Sequence, residues 1–413
     1  MRDRPGLGPL PRRPGARALG GGVRPPAPVH QHHRRRHRTR EGRHDTQGGA
    51  PVTASSARAL TSGRGLVPHS RPCLGGEEEE AALRVLRAAR LAPGAEAARC
   101  EALVARLSDA ADAVALSSGT LALALALRVL GLTPRDRVAL PSYACAALLH
   151  AVRAAGAEPL VCDIDPATLA LDADDVARRA GSHPPRAAIL VHPFGLPARV
   201  EPFRARGWLV VEDCAQALGA ISVDRPVGAR GDAGVFSFGP TKMVTCGGPG
   251  GALASSQASL VRAARDLAGH DEKERDAARV NGLMGDLHAA IACAQLGRLR
   301  EFVARRAAIA ASYDQAFAPL GLRRPAAPDG ARPVPYRYLV RVPEAEAFIA
   351  RLNRRGVAAR HPVFLPLHRL ASSPGSFPAT EGARKELVSL PLYPALTEAE
   401  VARVIREVTQ CRP

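Results

Sequence analysis

The 413-residue chain is 46% hydrophobic, enough for a large domain with a smaller companion, and carries a formal charge of +18. Most of that charge sits in the first 71 residues, where fifteen arginines stand against Asp3, Glu41 and Asp45; the rest is mildly basic, which argues against a nucleic-acid partner for the folded part. No apolar run reaches the roughly 18 residues a membrane span needs and the N-terminus lacks the apolar core of a secretory signal, so the chain reads as cytoplasmic.

Residues 1–69 are rich in Pro, Gly, Arg and His without a sustained apolar period, and are expected to form a disordered basic tail. The cluster His30-Gln-His-His33-Arg-Arg-Arg-His37 reads as part of that tail rather than as a metal or polyanion site. An alternative origin for the tail is a start codon upstream of the true one, with translation beginning near Val52. Order is expected from about Ser70. A helix is expected over 77–90, with acidic residues in its first turn, and another over 95–107.

From 113 to 254 short apolar runs, at 113–116, 137–140, 159–162, 187–192, 208–212, 234–238 and 252–254, alternate in the main with helix candidates at 120–131, 144–155, 172–180 and 197–206. This α/β alternation predicts a mostly parallel sheet flanked by helices, with ligands at the carboxyl ends of its strands. Helical stretches at 257–268 and 286–317 complete a large domain over 70–318. The Pro-rich junction 324–335 leads into a smaller α+β C-terminal domain, 319–413, with a strand at 338–342 and helices at 344–356 and 397–408. Eight cysteines without a C-x-x-C pair read as buried free thiols rather than disulfides or metal ligands.

Three features fall where strands should end. The first is Ser117-Ser-Gly-Thr120, whose free N–H groups, hydroxyl and absent Cβ at Gly119 suit a phosphate, although Ser and Thr also serve as plain N-caps. The second is Asp213 at the mouth of Val210-Val-Glu-Asp213, alone no more than a turn-former. The third is Lys242, in Ser237-Phe-Gly-Pro-Thr-Lys242, followed by Gly247-Gly-Pro-Gly-Gly251. The chain has only three lysines; Lys273 and Lys385 lie in charged helical contexts and read as solvated, whereas Lys242 stands between apolar runs. Arginine cannot condense with a carbonyl and lysine can. An anion cradle, a strand-end carboxylate and a sequestered amine are together what pyridoxal 5'-phosphate requires. His192 and His288 read as structural or substrate-proximal, and Asp163 and Asp165 as turn residues.

These stretches, with Leu140-Pro-Ser-Tyr143, Val191-His-Pro-Phe-Gly195, Glu212-Asp-Cys-Ala-Gln-Ala-Leu-Gly219, Asn281, Ala289-Ala-Ile-Ala-Cys-Ala-Gln-Leu296 and Leu390-Pro-Leu-Tyr-Pro394, resemble the DegT/DnrJ/EryC1/StrS family of sugar aminotransferases over about residues 70–410. The resemblance implies a fold-type I pyridoxal-phosphate enzyme acting as a homodimer with shared active sites. It implies that Lys242 bonds the cofactor's aldehyde, Asp213 holds the pyridine nitrogen protonated and Gln216 lies near the ring. Ser237, Gly119 and Thr120 would hold the phosphate, reached by the partner subunit's Asn281. The implied reaction moves an amino group from an amino acid, glutamate, to a keto sugar, nucleotide-linked, in the biosynthesis of amino sugars, polysaccharides or secondary metabolites.

Three departures from the family pattern stand out. Gly248-Pro-Gly-Gly251 lacks the usual acid, Cys145 replaces an aromatic, and Gly282-Leu-Met-Gly285 lacks the usual aromatic and basic residues. They motivate an alternative reading, a non-catalytic or regulatory protein of this fold that binds the cofactor or a sugar nucleotide. Dehydration by the same cofactor is disfavoured, because related dehydratases place histidine where Lys242 stands.

Overall fold

The computed structural model describes residues 65–271 and 276–411; of the tail expected over 1–69, residues 1–64 lie outside the described residues, as does Lys273, whereas the expectation fails for its end, where Val67 and His69 are buried because they pack on the C-terminal part of the chain. Seven strands build the central sheet: β1 (Asp112–Leu116), β2 (Arg137–Pro141), β3 (Glu158–Cys162), β4 (Ala187–Val191), β5 (Leu209–Asp213), β8 (Ala233–Ser237) and β9 (Gly251–Ser255), with the two-residue pair β6 (Ile221–Ser222) and β7 (Arg225–Pro226) outside it. The order is β1-β9-β8-β5-β4-β2-β3. β2, β3, β4, β5 and β8 run parallel, whereas β9 is antiparallel to both β8 and β1. A parallel return needs a crossover of about a dozen residues or more, usually helical. The stretch between β8 and β9 is instead a glycine-rich loop without a helix, so the chain comes back beside its own strand.

The strands are apolar on both faces because helices cover both: Ala187–Val191 is buried throughout. α3 (Gly119–Val129) occupies the middle of one face, with Ala122 to Leu127 all buried. Ser118 caps it, accepting the Leu121 N–H at 3.1 Å. α4 (Ala147–Ala154) and α7 (Ala258–Ala268) flank α3, and their apolar residues join one core cluster. Two further helices, α5 (Ala173–Ala180) and the short α6 (Glu201–Arg204), connect strands at one end of the sheet. On the other face α2 (Ala95–Leu107) and α8 (Asp286–Gly297) form the second core with Phe236, Phe238 and Met243, and α1 (Gly76–Ala88) packs on α8.

Two helical expectations are corrected. The helix expected over 197–206 is a single turn, Glu201–Arg204, because Pro202 and the turn at Gly207 (φ 77°) confine it. The helix expected over 286–317 is two, α8 and α9 (Leu299–Phe317), divided at Arg298, whose φ/ψ of −93°/5° leaves the helical region. Arg298 there bonds Glu301 and Glu78, clasping α1 to the joint.

β10 (Tyr338–Arg341) and β11 (Leu387–Leu390) pair antiparallel. With α10 (Ala345–Arg354), α13 (Glu398–Cys411) and the second half of α9, they enclose a third core that includes Tyr313, Tyr338 and Phe348. The strand β11 and helices α11 (Leu367–Leu370) and α12 (Pro378–Glu386) had no counterpart in the sequence reading. Val67 bonds Gly356 and Ala358 and is buried in this third core. Asp163 joins this part to the sheet: its oxygens accept the Ala379 and Thr380 N–H groups, both at 2.9 Å, and the Thr380 hydroxyl at 2.7 Å. Among the described residues no helix is long and apolar enough to cross a membrane, and all eight cysteines are free, five of them buried.

The linker before β10 is threaded against the sheet at Gly195. Its φ is +94°, and a Cβ there would lie 1.8 Å from the Val334 carbonyl oxygen; the Gly195 carbonyl accepts the Val334 N–H at 3.1 Å. Gly195→Ala must therefore break this contact and adopt an unfavourable φ, and is expected to lower stability by about 3 kcal/mol. Urea unfolding checks this: a midpoint unchanged from wild type would refute it.

Candidate active site

Strand periodicity sends neighbouring residues to opposite faces, and this separates the adjacent carboxylates of β5. Glu212 faces away from α3 and is fully buried. It accepts four hydrogen bonds: from His192 Nε2 (3.0 Å) and from the N–H groups of Gly228 (3.0 Å), Arg230 (2.8 Å) and Gly231 (2.6 Å). His192 Nδ1 accepts the Ala198 N–H at 2.9 Å, which assigns its proton to Nε2. The Glu212–His192 pair is thus a buried brace with no group left to offer a metal or substrate. Burial pushes the Glu212 carboxyl up, but the bonds from His192, Gly228 and Gly231 outweigh it and hold it below the ordinary glutamate value.

Asp213 faces the α3 side, the side of Val211 and Val235. Its carboxylate accepts one bond, from the Ala215 N–H at 3.0 Å, and among the described residues no other donor reaches it. Desolvation raises its pKa, opposed by the charge of Lys242 and by the Ala215 bond. The register Asp213↔Val235 places Ser237, two residues along β8, on the same face.

Ser237 meets the start of α3. A Cβ at Gly119 would lie 3.0 Å from Ser237 Cβ and 3.3 Å from its Oγ, and a Cβ at Gly251 would lie 2.5 Å from the Gly119 nitrogen. Two glycines thus let three backbones converge on one point. The first-turn N–H groups of Gly119 and Thr120 have no intrahelical acceptor, by helix geometry, and meet no other acceptor among the described residues. The Ser117 N–H donates to Gly282 O at 2.8 Å, and Gly282 packs on Leu121; Asn281 beside it is exposed.

Lys242 lies on the β8–β9 loop, half-buried, its N–H donating to Gly239 O at 3.0 Å. Gly239 sits between the two functional side chains: a Cβ there would be 3.7 Å from Lys242 Cγ and 3.9 Å from Ser237 Oγ. Gln216 Oε1 accepts the Phe194 N–H at 2.7 Å, fixing the turn that holds Gly195. Six of the seven residues singled out in the sequence thus lie at the carboxyl ends of β1, β5 and β8, and Asn281 lies on the exposed loop passing α3. Cys145 is exposed and Tyr143 buried, edge-on to Phe194 at 6.3 Å.

Sequence reasoning missed Tyr336. Lys242 Nζ lies 5.9 Å from its ring centroid, and Arg337 donates to its hydroxyl at 3.2 Å. Burial favours the neutral hydroxyl, yet Lys242 and Arg337 bring its pKa below the ordinary tyrosine value. The one available signal was an aromatic pair flanking an arginine, Tyr336-Arg337-Tyr338, after a Pro-rich stretch in a chain with 4% aromatic residues.

The site fits pyridoxal phosphate on its own geometry: unclaimed amides and a missing Cβ for phosphate, an underbonded buried carboxylate for a ring nitrogen, and an amine coupled to that carboxylate. Glu212→Gln should cost about 2–3 kcal/mol at neutral pH. Because the Glu212 pKa is depressed on folding, its ionic contribution is present above the unfolded value near 4.5 and lost as pH falls through the folded value. Melting temperatures across that acid range should therefore fall less steeply in Glu212→Gln than in wild type; parallel curves would refute the assignment.

The profile of the DegT/DnrJ/EryC1/StrS aminotransferase family matches residues 72–409. The chain is 32% identical to a UDP-N-acetyl-3-dehydro-alpha-D-glucosamine 3-aminotransferase of Acidithiobacillus ferrooxidans, over 78% of this chain and 90% of that protein. It is 33% identical to a dTDP-4-dehydro-2,3,6-trideoxy-D-glucose 4-aminotransferase of Saccharopolyspora spinosa, over 82% and 94% of the two chains. Among solved structures it matches the aminotransferase TlmJ from Streptoalloteichus hindustanus with a TM-score of 0.79 and 35% identity, over 84% of this chain and 98% of that one. With a pocket built for the cofactor and a sequence matched along nearly its whole described length, the chain belongs to the DegT/DnrJ/EryC1/StrS aminotransferase family and is a pyridoxal-phosphate-dependent aminotransferase.

Proposed function

We infer that this enzyme moves an amino group from an amino acid, glutamate, to the carbonyl of a sugar carried on a nucleotide, in amino-sugar biosynthesis. The observation that carries the chemistry is the buried Asp213 carboxylate at the end of β5, bonded among the described residues by the Ala215 N–H alone, on the same sheet face as Ser237 and with Lys242 on the loop that follows β8. The acceptor class is supported by the names of the two relatives, which act on UDP- and dTDP-linked keto sugars.

In this reading the Gly119 and Thr120 amides and the Ser237 hydroxyl hold the cofactor phosphate, and Asp213 keeps a proton on its ring nitrogen. Gln216, clamped by the Phe194 N–H, would lie near the ring. When bound, pyridoxal phosphate supplies an electron-withdrawing ring that acidifies the carbon bearing an attached amine. Lys242 Nζ is the group that takes and returns that proton. The low-dielectric surroundings of Asp213 make its fixed charge act more strongly than in water. The exposure of Asn281 supports a homodimer in which the partner subunit's Asn281 completes the phosphate site. The border between the cofactor-binding part and the smaller C-terminal part is placed near residue 318.

Lys242→Arg retains the charge but cannot condense with an aldehyde, and should lose turnover by about a thousandfold or more. Asp213→Asn should still bind cofactor and slow the reaction about 10²–10³-fold. Absorbance of the cofactor band after glutamate addition, followed by a panel of keto-sugar nucleotides, checks both. Full activity in Lys242→Arg would overturn the assignment, and a wild-type band that no amino acid bleaches would restore the non-catalytic reading.

A further inference from the structure

Arg337, immediately before β10, lacks a carboxylate partner among the described residues. Its guanidinium meets two groups that carry no negative charge: the Tyr336 hydroxyl, 3.2 Å from Nη2, and His69 Nδ1, 3.2 Å from Nη1. Its Cζ lies 4.6 Å over the Tyr336 ring, the ring that Lys242 Nζ approaches to 5.9 Å. One aromatic side chain is therefore shared by the reactive amine and an uncompensated guanidinium. Both line a narrow cavity of about 10 Å³, room for a single water. Arg337 also lines a larger cavity of about 250 Å³, with Phe194, Leu196, Val334 and Leu339.

The surroundings hold a surplus of positive charge. His69 is kept neutral, its pKa brought down to about 3 by burial and then by Arg337 and Arg360. Arg306, also buried, donates to the carbonyls of Tyr336 (3.1 Å) and Leu392 (2.8 Å) rather than to a carboxylate. A partly buried guanidinium held by weak neutral contacts is poised to exchange them for charge-assisted bonds to a planar anion.

We propose that Arg337 is the subsite for a carboxylate of the amino donor. An α-carboxylate stands one carbon from the amine it accompanies, so its receptor must lie near Lys242, as Arg337 does. The diphosphate of a sugar nucleotide is separated from the sugar carbonyl by the ring and makes no such demand. The inference rests on the aminotransferase reading above.

The test uses holoenzyme and single-turnover absorbance, with Arg337→Gln beside wild type. The concentration of glutamate needed to bleach the cofactor should rise about 10- to 100-fold in Arg337→Gln, with the keto-sugar half-reaction unchanged and Arg337→Lys partly restoring the first. Equal glutamate dependence in both proteins overturns the proposal, and so does a defect confined to the keto-sugar half, which would assign the guanidinium to diphosphate. If wild type responds to a different amino acid, the choice of glutamate fails while the same comparison with that amino acid still decides Arg337. A second readout needs no variant: glutarate, a dicarboxylate without an amine, is titrated at neutral pH, where it is a dianion, into wild-type holoenzyme while the labelled Arg337 guanidinium is followed by NMR. The Arg337 Nε–H signal should shift saturably with glutarate; a signal unmoved at saturating glutarate overturns the proposal.

Discussion

The site depends on one electrostatic compromise. Asp213 is buried at the end of β5 with a single backbone N–H to satisfy it, and the charge that offsets its desolvation belongs to Lys242. Burial alone favours the neutral form of a carboxylate so underbonded, and the nearby ammonium favours the ionised one that a protonated ring nitrogen needs as its partner.

That compromise is possible because the neighbouring carboxylate is treated in the opposite way. Glu212 is saturated by four donors and braces His192 and the Gly228–Gly231 turn. The strand pleat alone separates the two roles: one side chain enters the site and the next locks the loop behind it. The glycines act on the same scale. Gly119, Gly251 and Gly195 stand where a methyl group would collide with a strand, a helix start or the linker, so the convergence of backbone at the start of α3 rests on the close approach that Gly119 and Gly251 permit rather than on side chains.

Tyr336, Arg337 and His69 are packed together beside Lys242 by the linker into β10, and bring positive charge to that pocket. The part of the chain around β10 and β11 thereby reaches the wall of the pocket that Lys242 lines. Its attachment is polar as well as apolar: Asp163 holds the start of α12, and Arg306 holds the carbonyls of Tyr336 and Leu392.

The amino-acid order determined by itself the strands of the sheet, since each is a short run apolar on both faces. It also marked Lys242, because a chain with three lysines leaves one between apolar runs. Ser237, Gly119, Thr120 and Asp213 were legible as strand-end residues for the same reason, though their convergence was not. Only the tertiary structure decided the antiparallel course of β9 and the break at Arg298 within an alanine-rich stretch of uniform helical propensity. It likewise decided the division of labour between Glu212 and Asp213, and the arrival of Tyr336 and Arg337 beside Lys242. Pairing direction, face assignment and the meeting of residues nearly a hundred positions apart follow from how elements pack. Local pattern carries no information about the partner that an element will find.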